Sequence, residues 1–144
     1  MGEKIDFLFE WAVWGHLDST TDIELILLKG HLLLETVLET SLNRSDINKS
    51  EDYSFYKKIK VFENIEFKET EKHKFIVSSL KKVNKLRNNL AHEFHFDIKN
   101  GELKLWSAEI LENLKGEKFT RFTYRTKIVH AFSIISKNIL DLTE

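Results

Sequence analysis

Apolar residues recur at helical spacing along most of the chain and predict five helices, over residues 4–17, 22–42, 54–62, 70–90 and 119–142. The second of these is apolar almost all round, which is typical of a helix in the middle of a bundle. The chain has no proline and only five glycines, so little interrupts long helices. We therefore predict a mainly α fold, a bundle of four to five helices formed by one domain over residues 1–144.

A different pattern follows the fourth predicted helix. Residues 94–99 and 102–106 alternate between apolar and polar positions, and Asn100-Gly101 between them is a strong tight-turn pair. A two-residue turn would place Lys99 opposite Glu102 and Ile98 opposite Leu103, which gives one charged and one apolar face. The alternation therefore predicts a short β-hairpin after this helix.

Composition limits the chemistry that the chain can perform. The formal net charge of −1 argues neither for nor against nucleic acid. Cysteine is absent, which excludes disulfides, thiolate metal sites and cysteine nucleophiles. No pair of histidines has helical ligand spacing except by chance, so we predict no metal and no other cofactor. No apolar run reaches membrane-spanning length, and the acidic N-terminus does not look like a signal peptide. A cytoplasmic protein without a membrane contact is expected.

The most informative segment is Arg87-Asn88-Asn89-Leu90-Ala91-His92. Arginine presents a planar fork of donors to a phosphate, and histidine both takes and gives a proton near pH 7. Arg87 also falls on the apolar line of its predicted helix. A charge in that position needs a counter-charge or a bound anion, because an unpaired buried charge is costly. Glu35 is one candidate partner for Arg87, and a phosphate is another.

The same spacing occurs a second time, at Arg125 and His130. Residues five apart in an unbroken helix point about 140° from each other, so these two are not expected to converge. His130 is predicted on a polar line of the last helix. Arg87 and His92, in contrast, are predicted to straddle a helix end. Asn88 and Asn89 are poor helix formers, so the backbone between them can turn.

Other polar residues could support such a site. Glu24, His31 and Glu35 lie close to one line of the second predicted helix, and His31 and Glu35, four residues apart, can touch. A structural role suits this pair better than a catalytic one. A further set could bind an RNA backbone or simply form a solvated face: Lys81, Lys82 and Lys85.

The segment from Lys85 to Phe94, KLRNNLAHEF, resembles the signature of HEPN domains, an arginine often followed by asparagine and then by a histidine. The stretch from Gly30 to Glu35 is also similar to that superfamily. The resemblance implies a compact helical bundle, usually dimeric, and in many members a metal-independent endoribonuclease that acts as a toxin or an antiviral effector. In one subgroup a tyrosine two residues after the histidine is adenylylated. Phe94 occupies that position in this chain and has no hydroxyl, so the resemblance does not extend to regulation by adenylylation at this site.

The residues suggest a mechanism of RNA cleavage. His92 would serve as base or acid, Arg87 would stabilise charge on phosphorus, and Asn88 would orient the phosphate or the imidazole. Acid–base cleavage works best with two histidines, and a two-fold homodimer would supply the second. The expected partners are RNA, a second copy of the chain, and an antitoxin or defence-system protein.

Two alternatives remain open at this point. The first is a non-catalytic HEPN-like module whose cleft holds a nucleotide or RNA without cutting it. The second is a protein-dimerisation module, suggested by the aromatic residues Phe7, Trp11 and Trp14 of the first predicted helix.

Overall fold

The computed structural model of the protein describes residues 23–47, 50–92, 101–116 and 124–143, with the backbone alone at positions 91, 92, 124 and 125. The regular structure in these ranges is helical, which confirms the predicted mainly α class. A 3-10 turn spans Ser50–Asp52, and the α-helices are α1 (Ile23–Arg44), α2 (Phe55–Glu63), α3 (Thr70–His92), α4 (Glu102–Asn113) and α5 (Tyr124–Leu142). The predicted helix over residues 4–17, with Phe7, Trp11 and Trp14, lies outside the described residues.

Local hydrogen bonds define the connection between α1 and α2. Asp46 adopts the left-handed conformation, with φ at 63°, and the Ile47 N–H donates to the Leu42 carbonyl over 2.9 Å, so α1 ends in a Schellman-type turn. Ser54 caps α2, because its hydroxyl accepts from the Lys57 N–H at 3.1 Å. Both helices begin and end within about two residues of their predicted bounds.

Helix α1 packs against α2, α3 and α5, but Leu25, Leu28 and Leu32 on one of its sides are exposed, so the predicted position in the middle of the bundle holds for the rest of its surface only. Gly30 permits the close approach to α5. A Cβ built at this position would lie 2.6 Å from atoms of the Phe132 ring, and Phe132 is fully buried. Among the described residues no helix is long and apolar enough to cross a membrane.

The predicted β-hairpin is wrong in its second half. Residues 102–113 form helix α4, and Gly101 precedes it with φ at 76° as the N-cap residue. The positive φ that the glycine suggests is present, but it starts a helix. Leu103, Trp106 and Ile110 are buried at helical spacing, whereas Leu105, which would share a strand face with Leu103, is 62% exposed. The other half of the predicted hairpin, residues 94–99, lies outside the described residues.

The predicted helix end between Arg87 and His92 is also wrong. Helix α3 continues through Asn88 and Asn89 to His92. The low helix propensity of asparagine amounts to a few tenths of a kcal/mol per residue. Leu90, one residue further on, packs against the core, and such packing outweighs a difference of that size. Arg87 and His92 therefore occupy one continuous helix.

Candidate functional site

A polar cluster lies between α1 and α3, built around His31. His31 is 4% exposed, and its ring rests on that of Phe55, with 4.2 Å between ring centroids. Its Nδ1 atom lies 3.3 Å from Oε1 of Glu35. The contact predicted between these two residues, four apart on α1, is thus present.

Asn84 connects this pair to α3. Its Oδ1 atom lies 3.2 Å from Nε2 of His31, on the side of the imidazole ring away from Glu35. Both ring nitrogens of a buried histidine are therefore engaged by polar side chains from two helices. The sequence analysis did not single out Asn84, because its role depends on the packing of α3 against α1.

The environment of His31 favours its neutral form. Burial lowers the pKa of His31 from its usual value of 6.5, and the positive charge of Arg87 lowers it further, while Asn84 and Glu35 raise it. A neutral imidazole has one N–H and one lone pair. With Oδ1 of Asn84 against it, Nε2 carries the N–H and donates to that oxygen, while Nδ1 lies 3.3 Å from Oε1 of Glu35.

Arg87 lies at the edge of this cluster, three residues after Asn84 on α3. Its side chain is half-buried, and its positive charge contributes to the lowered pKa of His31. Glu35 faces His31 instead of the guanidinium, so the predicted alternative of an Arg87–Glu35 ion pair is not formed. Indeed, among the described residues no carboxylate forms an ion pair with Arg87. A half-buried guanidinium of this kind is suited to bind an anion.

The remaining residues of the motif lie around α3 from Arg87. Asn88 is exposed. Position 92 follows Arg87 by five residues, so the helix register turns it about 140° away from Arg87. It falls on the same helix line as Lys85 and Asn88. Within one chain the structure brings Arg87 together with His31 and Asn84, on a face of α3 different from that of position 92.

The three lysines predicted to bind RNA lie on exposed positions of α3. Lys81 Nζ is 3.0 Å from Glu63 Oε2, and Lys82 Nζ is 3.0 Å from Glu109 Oε2. The hydrogen bond from Lys81 lowers the pKa of Glu63. Lys85 forms no ion pair within the part of the chain that the structure describes. Lys85 is thus the lysine of the three that is most readily available to a phosphate.

Two further histidines, in α5 and α3, are buried. His130, predicted on a polar line, is fully buried in α5, which removes it as a surface residue. His73 lies in α3 with Nε2 donating to the Phe62 carbonyl over 2.9 Å. Its ring packs against Phe62 and Phe67. No sequence signal indicates this contact, which depends on how α2 and α3 meet.

Comparison with known proteins gives no assignment. No protein-family model matches the chain, and neither a curated protein nor a solved structure matches it. The described residues also contain no group of three or more His, Asp or Glu side chains arranged to hold a metal ion.

Proposed function

We propose that the protein is a metal-independent endoribonuclease of toxin or antiviral-defence type that acts as a homodimer. The observation that carries the proposal is the Arg87 guanidinium, half-buried and without a carboxylate partner among the described residues, in the helix that also contains Asn88 and His92. An anion is the natural complement of such a group. The resemblance of this segment to the HEPN signature supports RNA as the source of that anion.

The proposed reaction is an internal transfer at phosphorus. A His92 imidazole takes the proton of the RNA 2′-hydroxyl, and the 2′-oxygen forms a bond to phosphorus. The bond from phosphorus to the 5′-oxygen breaks, and that oxygen receives a proton from a second His92. Arg87 stabilises the charge that develops on the non-bridging oxygens, and Asn88 orients the phosphate. The products end in a 2′,3′-cyclic phosphate and a 5′-hydroxyl.

The register of α3 supports a site shared between two copies of the chain. Arg87 and position 92 face directions about 140° apart on the same helix, which does not favour convergence of the two on one phosphate. A two-fold axis beside α3 would bring Arg87 of one protomer near His92 of its partner and would also supply the second histidine. The proposed site therefore takes Arg87 and His92 from different copies.

Cleavage of RNA in the presence of EDTA tests the proposal. Wild-type protein is expected to cut a fluorescent single-stranded RNA and leave cyclic-phosphate ends. Arg87→Ala and His92→Ala are each expected to reduce the rate by about 10²-fold or more. Lys104→Ala is a matched control because Lys104 is an exposed residue of α4. If all three variants cut as fast as the wild type, the proposal fails.

One observation favours a second candidate function, a module that binds RNA or a nucleotide without cutting it. Helix α3 is continuous to His92, and Arg87 lies instead beside the buried His31 and Asn84. Such a site would hold a phosphate away from His92, the proposed acid and base. This alternative predicts no cleavage, and an increase in melting temperature on addition of RNA that is lost in Arg87→Ala.

A further inference from the structure

A large cavity lies along the outer side of α3. Its volume is about 930 Å³, within the size range of pockets that bind small ligands. Residues of the α2–α3 connection form one wall, and the side chains from Thr70 to Lys85 of α3 form the other. The cavity is separate from the polar cluster of His31, Asn84 and Arg87, none of which lines it.

The lining of the cavity is rich in lysine in a chain whose net charge is −1. Four lysines and two glutamates, Glu63 and Glu66, line it, and Glu71 and Glu109 beside it pair with Lys74 and Lys82. The lysines are Lys74, Lys81, Lys82 and Lys85. The ion pairs that these lysines form with glutamates are exposed to solvent. Such pairs contribute little to stability, so phosphates can replace the carboxylates at low cost.

An aromatic ring is fixed at one end of this basic surface. Phe67 lines the cavity and is half-buried. Its ring centroid lies 4.7 Å from that of His73 in an edge-on arrangement and 5.4 Å from that of Phe62. His73 is itself held by its hydrogen bond to the Phe62 carbonyl. The ring is therefore held in place before any ligand arrives.

Three of the lysines lie on one line along α3 that leads from the cavity to position 92. Lys74, Ser78, Lys81, Lys85 and Asn88 follow one another at alternating steps of four and three residues, which is the spacing of a single line along a helix. The next step of four reaches position 92. From Lys74 to position 92 the line is about 27 Å long, at 1.5 Å per residue.

We infer that this cavity binds a single-stranded segment of the RNA substrate, with one base stacked on Phe67 and the backbone on Lys74, Lys81 and Lys85. A basic groove with an aromatic ring is the combination that binds single strands. In a duplex the bases are stacked on one another and do not reach Phe67, and an acidic peptide has no base to place there. The inference rests on the proposed function, because the bound strand would continue to His92.

Binding is tested with a fluorescent 2′-O-methyl RNA of about twelve nucleotides, in which the 2′-oxygen is blocked so that cleavage does not interfere. Phe67→Leu retains apolar packing but removes the aromatic face. We expect it to weaken binding roughly five- to 150-fold, the range that corresponds to stacking of one base. Phe67→Tyr is expected to bind as the wild type does. Melting temperatures of both variants establish that each is folded.

Duplex RNA and polyglutamate serve as competitors. We expect both to compete weakly, and we expect the small effect of duplex RNA to be the same in wild type and Phe67→Leu. Equal affinity of wild type and Phe67→Leu for the single strand would overturn the inference, as would polyglutamate that displaces the RNA at similar concentration. If the single strand binds through Phe67 but unmodified RNA is not cleaved, the proposed ribonuclease activity is overturned and the proposed binding site is retained. Cleavage of unmodified RNA by Phe67→Leu with an unchanged KM would overturn the proposed binding site at Phe67 and leave the proposed ribonuclease activity intact.

Discussion

The Nε2 atom of His31 lies 3.2 Å from Oδ1 of Asn84, and this contact joins the buried middle of α1 to the helix that contains Arg87. Glu35 holds the opposite nitrogen of the same ring at 3.3 Å. Helices α1 and α3 therefore meet through a polar cluster next to Arg87, the residue proposed to bind phosphate. The cluster adds a polar side-chain contact to the packing of α3 against α1.

Burial of His31 predicts a dependence of stability on pH. The pKa of His31 is lowered in the folded protein, chiefly by burial, so below 6.5 the unfolded chain takes up a proton that the folded chain does not. The free energy of unfolding is therefore expected to fall as the pH decreases from 6.5 to the folded pKa, and to level off below it. Urea unfolding between pH 5 and pH 7.5 measures this dependence.

His31→Gln supplies the comparison for the pH experiment, because glutamine does not titrate. This variant is expected to be less stable than wild type at pH 7.5, since it loses the fitted contacts with Glu35 and Asn84. Its stability should nevertheless change less between pH 7.5 and pH 5. An equally steep dependence in wild type and His31→Gln would show that other groups cause it.

The contact between Gly30 and Phe132 predicts a packing defect on substitution. Gly30→Ala introduces a methyl group 2.6 Å from the Phe132 ring, and the buried ring has to move to admit it. We expect a loss of about 1–3 kcal/mol in the free energy of unfolding, measured by chemical denaturation. Thr36→Ala, at an exposed position of α1, is the control and should lose little. A Gly30→Ala variant as stable as wild type would contradict the close packing of α1 on α5.

The helical form of residues 102–113 is tested by two lysine substitutions. Leu103 is 1% exposed and Leu105 is 62% exposed, whereas a strand would place both on one face. Leu103→Lys is expected to unfold the domain or to destabilise it severely, because it buries a charge. Leu105→Lys should change the free energy of unfolding by no more than about 0.5 kcal/mol. Similar effects of the two substitutions would favour the hairpin.

The helices are predictable from sequence where the apolar pattern is long. The apolar pattern of α1 predicts a helix within two residues of its observed bounds, although Leu25, Leu28 and Leu32 on one side of that helix are exposed. Alternation over residues 102–106 is too short to identify a strand, because Leu103, Trp106 and Ile110 also fit a helix. The end predicted at Asn88 and Asn89 relied on a weak local preference that the packing of Leu90 overrides.

The candidate site is predictable only in part. The contact of His31 with Glu35 is local to one helix, so its spacing reveals it. The contacts of Asn84 with His31 and of His73 with the Phe62 carbonyl join residues of different helices, and no sequence pattern specifies those distances. The composite site also depends on a second protomer. The arrangement of that protomer depends on surface complementarity rather than on any motif.

The central claim is that Arg87 of one protomer acts with His92 of the other, and mixed dimers test it most directly. An Arg87→Ala chain paired with a His92→Ala chain retains one Arg87 and one His92 on different copies. A double-substituted chain paired with wild type retains the same two residues on one copy, which makes it the matched control. Each heterodimer is purified through two different tags and assayed on RNA in EDTA. Each heterodimer retains a single His92, so both are expected to cut more slowly than wild type, with water in place of the second histidine. We predict that the first heterodimer nevertheless cuts at least roughly tenfold faster than the His92→Ala homodimer and than the control. A control that cuts as fast as the first heterodimer or faster, when the wild-type dimer is active, would contradict the shared site.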